Sequence, residues 1–260
     1  MNATEIEAKV SLLVLLAMPF LVLSAYGVRV LAYGRPLNDR VAHQTSSALF
    51  GRFLIEAFHW VLTGLGRSVA RIGISPDALT LISLFISLAS LPAAALGHLS
   101  WAGVLLLAGA MFDVLDGVVA REQGLASDSG EVLDAIVDRY ADGAPLIGLL
   151  VFYRESVTAL LLVGSALVGS MLVSYVRSKA ESLGLKLRGG LMRRHERIAY
   201  LSGGLLIGPL VALHRVPFAA PLTLLSVAVV GFMSHLAAVL LTRSARAELV
   251  AQGRGPGSST

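Results

Sequence analysis

Residues 113–138 read DVLDGVVAREQGLASDSGEVLDAIVD. Asp113 and Asp116 are three apart, so a helix places them on one face, followed there by Gly117, Ala120 and Arg121. A polar break with Gly124 and Ser127 leads to a second helix starting near Gly130, which presents Asp134 and Asp138 one turn apart. Four carboxylates on two facing, otherwise apolar helices are costly to bury unless something positive lies between them. A pair of hard divalent cations, bound through oxygen and shared with substrate phosphates, meets that need. The competing reading is a salt-bridged helix pair with solvated acids, and it conflicts with the apolar sequence on both sides.

The rest of the chain has a membrane composition. Its 260 residues are 55% hydrophobic and 15% charged, with a mean hydropathy of +0.75. There is no cysteine, which excludes disulfides and thiolate metal sites. The net charge of +4 sits beside apolar spans and reads as affinity for a membrane surface, not for nucleic acid.

Residues 11–33 are long enough to cross a bilayer at about 20 residues per span. Glu5 and Glu7 stand where a cleaved leader would be basic, and the apolar run is too long for one. A polar linker, 34–48, precedes an amphipathic stretch, 49–72, that mixes Phe, Trp and Leu with Arg52, Glu56, His59, Arg67 and Arg71. It is expected to lie in the interface with Trp60 at headgroup depth. Ser75-Pro76-Asp77 starts the next helix, with a cap, a proline at the first position and an acid in the first turn.

Further spans are expected at 78–97, 100–120, 131–153, 156–178 and 198–241, the last divided near His214-Arg215-Val216-Pro217. The divisions are therefore an N-terminal span with its linker (1–48), an interfacial helix (49–74), an all-α transmembrane catalytic unit (75–245) and a flexible tail (246–260). Segments on the carboxylate side (34–75, 121–131, 177–197 and 243–260) hold 16 of the 21 Lys and Arg, which places that side in the cytoplasm of a plasma or inner membrane.

The eight residues Asp113, Asp116, Gly117, Ala120, Arg121, Gly130, Asp134 and Asp138 form the pattern D-x2-D-G-x2-A-R-x8-G-x3-D-x3-D. This resembles the signature of the CDP-alcohol phosphatidyltransferases, with every fixed position present, and the likeness extends over about 75–245. The resemblance implies a six-helix membrane bundle, so the first helix is an addition. It also implies a homodimer and transfer of a phosphatidyl group from CDP-diacylglycerol to a polar alcohol, with CMP released and Mg2+ or Mn2+ bound, two ions in all. Asp113, Asp116 and Asp134 are then metal ligands. Asp138 follows the family's general base, while its spacing equally suits a fourth ligand. Gly117, Ala120, Arg121 and Gly130 face the CDP moiety, although the glycines also suit helix packing.

Two basic clusters on the same side address the acceptor. Arg177 and Lys179 end one span, where a frayed terminus would let both turn inward. Arg194 and Arg197, three apart, begin another and can converge. Such a cluster suits a phosphorylated acceptor, and topology signalling is the plainer reading. The runs Leu133–Gly143, Tyr175–Glu181 and Arg194–Arg197 resemble the branch of the family that uses inositol phosphate, although proline often stands there at the place of His195. Asp142 can orient Arg139 or an acceptor, or form a structural salt bridge. Glycerol 3-phosphate and serine are the next acceptors. A transporter would spread ionisable groups through the midplane, whereas eight of the 17 acids fall between 113 and 142. A non-catalytic scaffold would be expected to have lost a motif aspartate. Thr80 is a candidate nucleotide contact, Ser127 and Asp128 contact nucleotide or cap a helix, and His59, His98, His214 and His235 read as structural.

Overall fold

The computed structural model describes residues 3–34, 52–187, 190–213 and 219–255, and every regular element among them is helical. Helix α1 (Ala3–Leu12) continues through a π-helical turn (Leu13–Ala17) into α2 (Met18–Tyr33). That wide turn lies just ahead of Pro19, whose missing N–H disturbs the ordinary ladder. Then come α3 (Arg52–Ile72), α4 (Pro76–Ala95), α5 (Leu99–Glu122), α6 (Asp128–Phe152), α7 (Val157–Ser182), α8 (Arg194–Leu213) and α9 (Ala219–Ala251). One device starts three of them. The hydroxyls of Ser75, Ser127 and Ser156 each accept from the N–H three residues on, at 3.3, 3.2 and 3.3 Å.

Among the described residues, five helices are long and apolar enough to cross a membrane: Glu5–Tyr33, Pro76–Ala95, Leu99–Glu122, Val157–Ser182 and Leu222–Ala251. The expected spans on α6 and α8 are helices of 25 and 20 residues, but both carry site charges, Asp134, Asp138 and Asp142 along α6 and Arg194 and Arg197 in the first turn of α8. The linker at 35–48, the start of the amphipathic stretch at 49–51 and the division at 214–217 lie outside the described residues. The expected tail begins later than 246. Helix α9 runs on to Ala251, ends beside Gly253 at φ +73°, and the Arg254 guanidinium donates to the Leu183 carbonyl at 3.0 Å.

Helix α4 is the wedge of the bundle. It packs along both α5 and α6, which touch each other directly over only a short stretch. The approach is close because glycines face it. A Cβ on Gly109 would lie 2.0 Å from the Ser87 hydroxyl, and one on Gly148 would lie 2.4 Å from the Leu91 carbonyl oxygen. Helix α7 meets α9 in the same way where Gly231 faces Ala166. Leu106, Leu146, Leu149, Val163, Leu205 and Val230 fill the centre. Phe20, Phe85 and Phe232 face outward, as lipid contact requires.

The N-terminal helix is tied to this bundle. The buried Glu7 carboxylate accepts from the Ser100 N–H at 2.9 Å and lies 2.9 Å from His98 Nδ1, so it caps α5 from another helix. The Ser11 and Ser100 hydroxyls pair at 2.8 Å. Further along, the Tyr26 hydroxyl donates to Glu56 at 3.2 Å, and its ring packs against Trp60 at 5.9 Å between centroids. Helix α3 lies on α5, with Gly66 against Val118.

Candidate active site

Helices α4, α5, α6 and α8 converge where α5 nears its C-terminal end and α6 has just begun. Asp113, Asp116 and Asp134 each bring a carboxylate oxygen to within 4.8 Å of the other two. Asp116 is 6% exposed and is held by Thr80, whose hydroxyl donates to Asp116 Oδ2 at 2.6 Å and also lies 3.2 Å from the Pro76 carbonyl. Thr80 is therefore a support for a carboxylate, not a group left open for nucleotide. The sequence carried a signal for it. Thr80, Ser83, Ser87 and Ser90 form a helical stripe on an apolar helix, and all four are buried.

Asp138 lies beside Asp113, outside the three-carboxylate group. Arg194 holds it, with Nη2 at 2.8 Å from Oδ1, and Arg139 Nη2 lies 3.6 Å from its other oxygen. The same Arg194 guanidinium donates through Nη1 to Asp113 Oδ2 and through Nε to Asp142 Oδ1 at 3.2 Å. Asp142 thus takes the salt-bridge role and pairs with arginines of α8. Arg197, only 5% exposed, donates to Asp142 Oδ2 at 2.6 Å, to the Ser174 hydroxyl at 3.2 Å and to the Met192 carbonyl at 3.0 Å. Met192 adopts φ +53°, a region that ordinary side chains enter at a cost of about 1–3 kcal/mol. The Arg193 N–H donates to Glu196 at 3.1 Å, so the entry to α8 is fixed and Arg194 is aimed at the acids.

Of the four cations expected at the acceptor, Arg194 and Arg197 share Asp142, and Arg177 lies near enough to Arg197 to feel its charge. Arg194 and Arg197 converge, as their spacing requires, but on Asp142. Helix α7 continues to Ser182, so Arg177 and Lys179 lie within regular helix and diverge instead of turning together at a frayed end. Arg177 is half-buried, with its guanidinium beside Gly190, and Lys179 is exposed.

Gly117 and Gly130 are not packing glycines. A Cβ on Gly117 would meet only the Arg121 guanidinium, at 3.2 Å, and one on Gly130 only the Ser127 hydroxyl, at 3.4 Å. No neighbouring helix among the described residues comes within 4 Å of either, in contrast to Gly109 and Gly148. Arg121 is exposed at the end of α5, and Gly117, Ala120 and Gly130 are half-buried. Ser127 caps α6.

The donor set fits a divalent cation. Opposed oxygens around an ion with bonds of about 2.1 Å are about 4.2 Å apart, so small rotations of Asp113, Asp116 and Asp134 would close the shell. Asp113 Oδ1 is buried without a hydrogen-bond partner among the described residues, as a metal-facing oxygen would be. Carboxylates are the ligands that magnesium and manganese prefer.

An α-helical membrane bundle with a carboxylate cluster at one end is the class that fold and site define. The chain belongs to the CDP-alcohol phosphatidyltransferase family, whose sequence profile matches residues 73–242; it is an integral membrane enzyme. It is 37% identical over 153 residues to the phosphatidylinositol phosphate synthase of Mycobacteroides abscessus, covering 57% of this chain and 70% of that one. The crystal structure of the Mycobacterium tuberculosis phosphatidylinositol phosphate synthase with CDP-DAG bound superposes with a TM-score of 0.63 at 28% identity, over 77% of this chain and 97% of that chain. The same synthase in complex with manganese and citrate gives a TM-score of 0.64 at 27% identity, over 76% of this chain and 92% of that one. Helices α1 to α3 precede the residues that the family profile matches.

Proposed function

We propose that the protein transfers the phosphatidyl group of CDP-diacylglycerol to a hydroxyl of inositol phosphate. The acceptor oxygen bonds to the phosphorus that carries diacylglycerol, the bond from that phosphorus to the bridging oxygen breaks, and CMP departs. The observation that carries this reading is the convergence of Asp113, Asp116 and Asp134 beside Asp138 and Arg194, in a family of CDP-alcohol transferases. The relatives named as phosphatidylinositol phosphate synthases support the acceptor.

Asp113, Asp116 and Asp134 would hold divalent cations, Mg2+ or Mn2+ and two in number, with Asp138 at the edge of the second. Such ions neutralise charge on the pyrophosphate and on the departing CMP. Asp138 takes the proton of the acceptor hydroxyl. Gly117, Ala120, Arg121 and Gly130 receive the CDP moiety, the two glycines being free of helix-packing contacts among the described residues. Arg194 reaches the acceptor phosphate, with Arg177 and Lys179 on the rim, while Arg197 braces the wall through Asp142. The site faces the cytoplasm, supported by the 16 of 21 Lys and Arg on its side. The homodimer rests on the family resemblance and is tested by the mass of the purified particle.

CMP release by the purified protein with CDP-diacylglycerol and Mg2+ tests the reading across inositol 1-phosphate, free inositol, glycerol 3-phosphate and serine. Turnover is expected with inositol 1-phosphate alone. Turnover with glycerol 3-phosphate or serine instead overturns the acceptor and keeps the transferase.

A further inference from the structure

We propose that Arg194 is a built-in counter-cation that occupies Asp113 and Asp138 until a divalent cation displaces it, whereupon it moves to the acceptor's phosphate. The inference rests on the phosphatidyl-transfer reading and adds an order of events to it. Its basis is that one carboxylate is claimed twice. Asp113 belongs to the three-carboxylate cluster and at the same time accepts from Arg194 Nη1. The same guanidinium spans to Asp138 Oδ1 at 2.8 Å, so it covers an oxygen of the proposed base.

Arg194 can leave without stranding its third partner. Asp142 keeps Arg197, which is fully enclosed and bound at 2.6 Å. Arg194 is the more accessible of the two, its side chain 23% exposed against 6% for Arg197. Charge drives the exchange. Fully ionised, the four motif carboxylates carry four negative charges and Arg194 offsets one of them. Two divalent cations offset all four, and the guanidinium is then a surplus positive charge beside a loaded site. A planar guanidinium matches a phosphate in two-point geometry, so an arriving phosphorylated acceptor is its natural new partner. An alcohol without phosphate offers Arg194 no new partner to hold it away, so the guanidinium falls back on Asp138. Selection for a phosphorylated acceptor is thus coupled to exposure of the base.

Thermodynamic linkage makes this testable without turnover. If cation and phosphate both pull Arg194 from its resting place, each must raise affinity for the other by the same factor. Mn2+ binding to the detergent-solubilised full chain, without lipid, is followed from the spin-resonance signal of free Mn2+. Arg194→Gln is expected to bind Mn2+ about tenfold tighter than the wild type, within the usual range of about 5- to 150-fold for coupled sites. Arg194→Lys, a point charge unable to bridge both carboxylates, falls between them. Inositol 1-phosphate is expected to tighten Mn2+ binding in the wild type and not in Arg194→Gln. Equal or weaker Mn2+ binding by Arg194→Gln overturns the inference alone. Equal enhancement by inositol 1-phosphate in both proteins also overturns it, because the phosphate then acts without Arg194. Should Arg194→Gln not fold, a wild-type Mn2+ affinity indifferent to inositol 1-phosphate overturns it. No Mn2+ binding by either folded protein removes the metal reading and this inference together.

Discussion

Replacing Thr80 with valine removes one hydroxyl and keeps the shape of the side chain. That hydroxyl is the donor to Asp116 Oδ2 at 2.6 Å, with Thr80 4% and Asp116 6% exposed, so little water is available to take its place. A hydrogen bond to a charged group contributes about 1.5–3 kcal/mol, and leaving its acceptor buried and unpaired costs a similar amount. Thr80 also orients the carboxylate, one of three whose oxygens must close to within 4.8 Å. Groups that orient ligands in this way typically change metal affinity by about 10- to 100-fold when removed. Mn2+ affinity of Thr80→Val is therefore expected to fall by about that factor, while Thr80→Ser, which restores the donor, stays within a few-fold of wild type. Calorimetric titration of Mn2+ into the purified protein reads both. A Thr80→Val protein that melts normally and binds Mn2+ like the wild type would refute the reasoning, because Asp116 would then hold its place without the threonine.

Four other outcomes are expected from the same structure. Arg197→Ala leaves Asp142 with a buried charge only partly matched by Arg194, and is expected to cost about 3–5 kcal/mol, read as a lowered melting temperature in detergent. Gly148→Ala forces a methyl against the Leu91 carbonyl at 2.4 Å and should cost about 1–3 kcal/mol by the same measurement, since backbone must move to admit it. Glu7→Ala removes the cap on the Ser100 N–H and is expected to cost about 1–2 kcal/mol in thermal unfolding, a loss that a helix merely resting on the bundle would not show. Asp138→Asn is expected to abolish CMP release while Mn2+ affinity stays within a few-fold, because Asp138 lies outside the three-carboxylate cluster; loss of both together would make it a ligand.

The carboxylates were legible because their information is local. Asp113 with Asp116, and Asp134 with Asp138, declare their shared faces through the period of one helix, and Ser75, Ser127 and Ser156 mark helix starts through a single hydrogen bond each. What surrounds the carboxylates is not local. Thr80 lies 36 residues from Asp116, and only the wedging of α4 between α5 and α6 brings them together. Arg194 and Arg197 read as equivalent cations at a span boundary, yet their fates differ because Arg197 turns into the bundle toward Ser174 and Arg194 toward the acids. Glu7 stood in the sequence as a mark against a cleaved leader. Its partner is 93 residues away, so no spacing could show that it caps α5.

Helix α5 carries Asp113 and Asp116, and it is held at both ends by contacts to the N-terminal helices α1 and α3 and the turn that follows α3. At its N-terminus, Glu7 of α1 satisfies the Ser100 N–H and engages His98. At its C-terminus, Gln123 donates to the carbonyls of Ala70 and Ile74, at 3.2 and 3.0 Å, at the end of α3 and in the turn after it. The Arg67–Glu122 pair nearby is largely exposed and adds little, so the Gln123 clamp is the firmer of the two. The N-terminal helices also hold each other, through Tyr26 with Glu56 and Trp60. A helix that presents mutually repelling carboxylates gains most from being fixed along its axis, since a slide of one residue would carry Asp113 about 1.5 Å and turn it by about 100°. Helices α1 and α3 therefore act on the site through the register of α5, and no described residue of theirs lies among the acids.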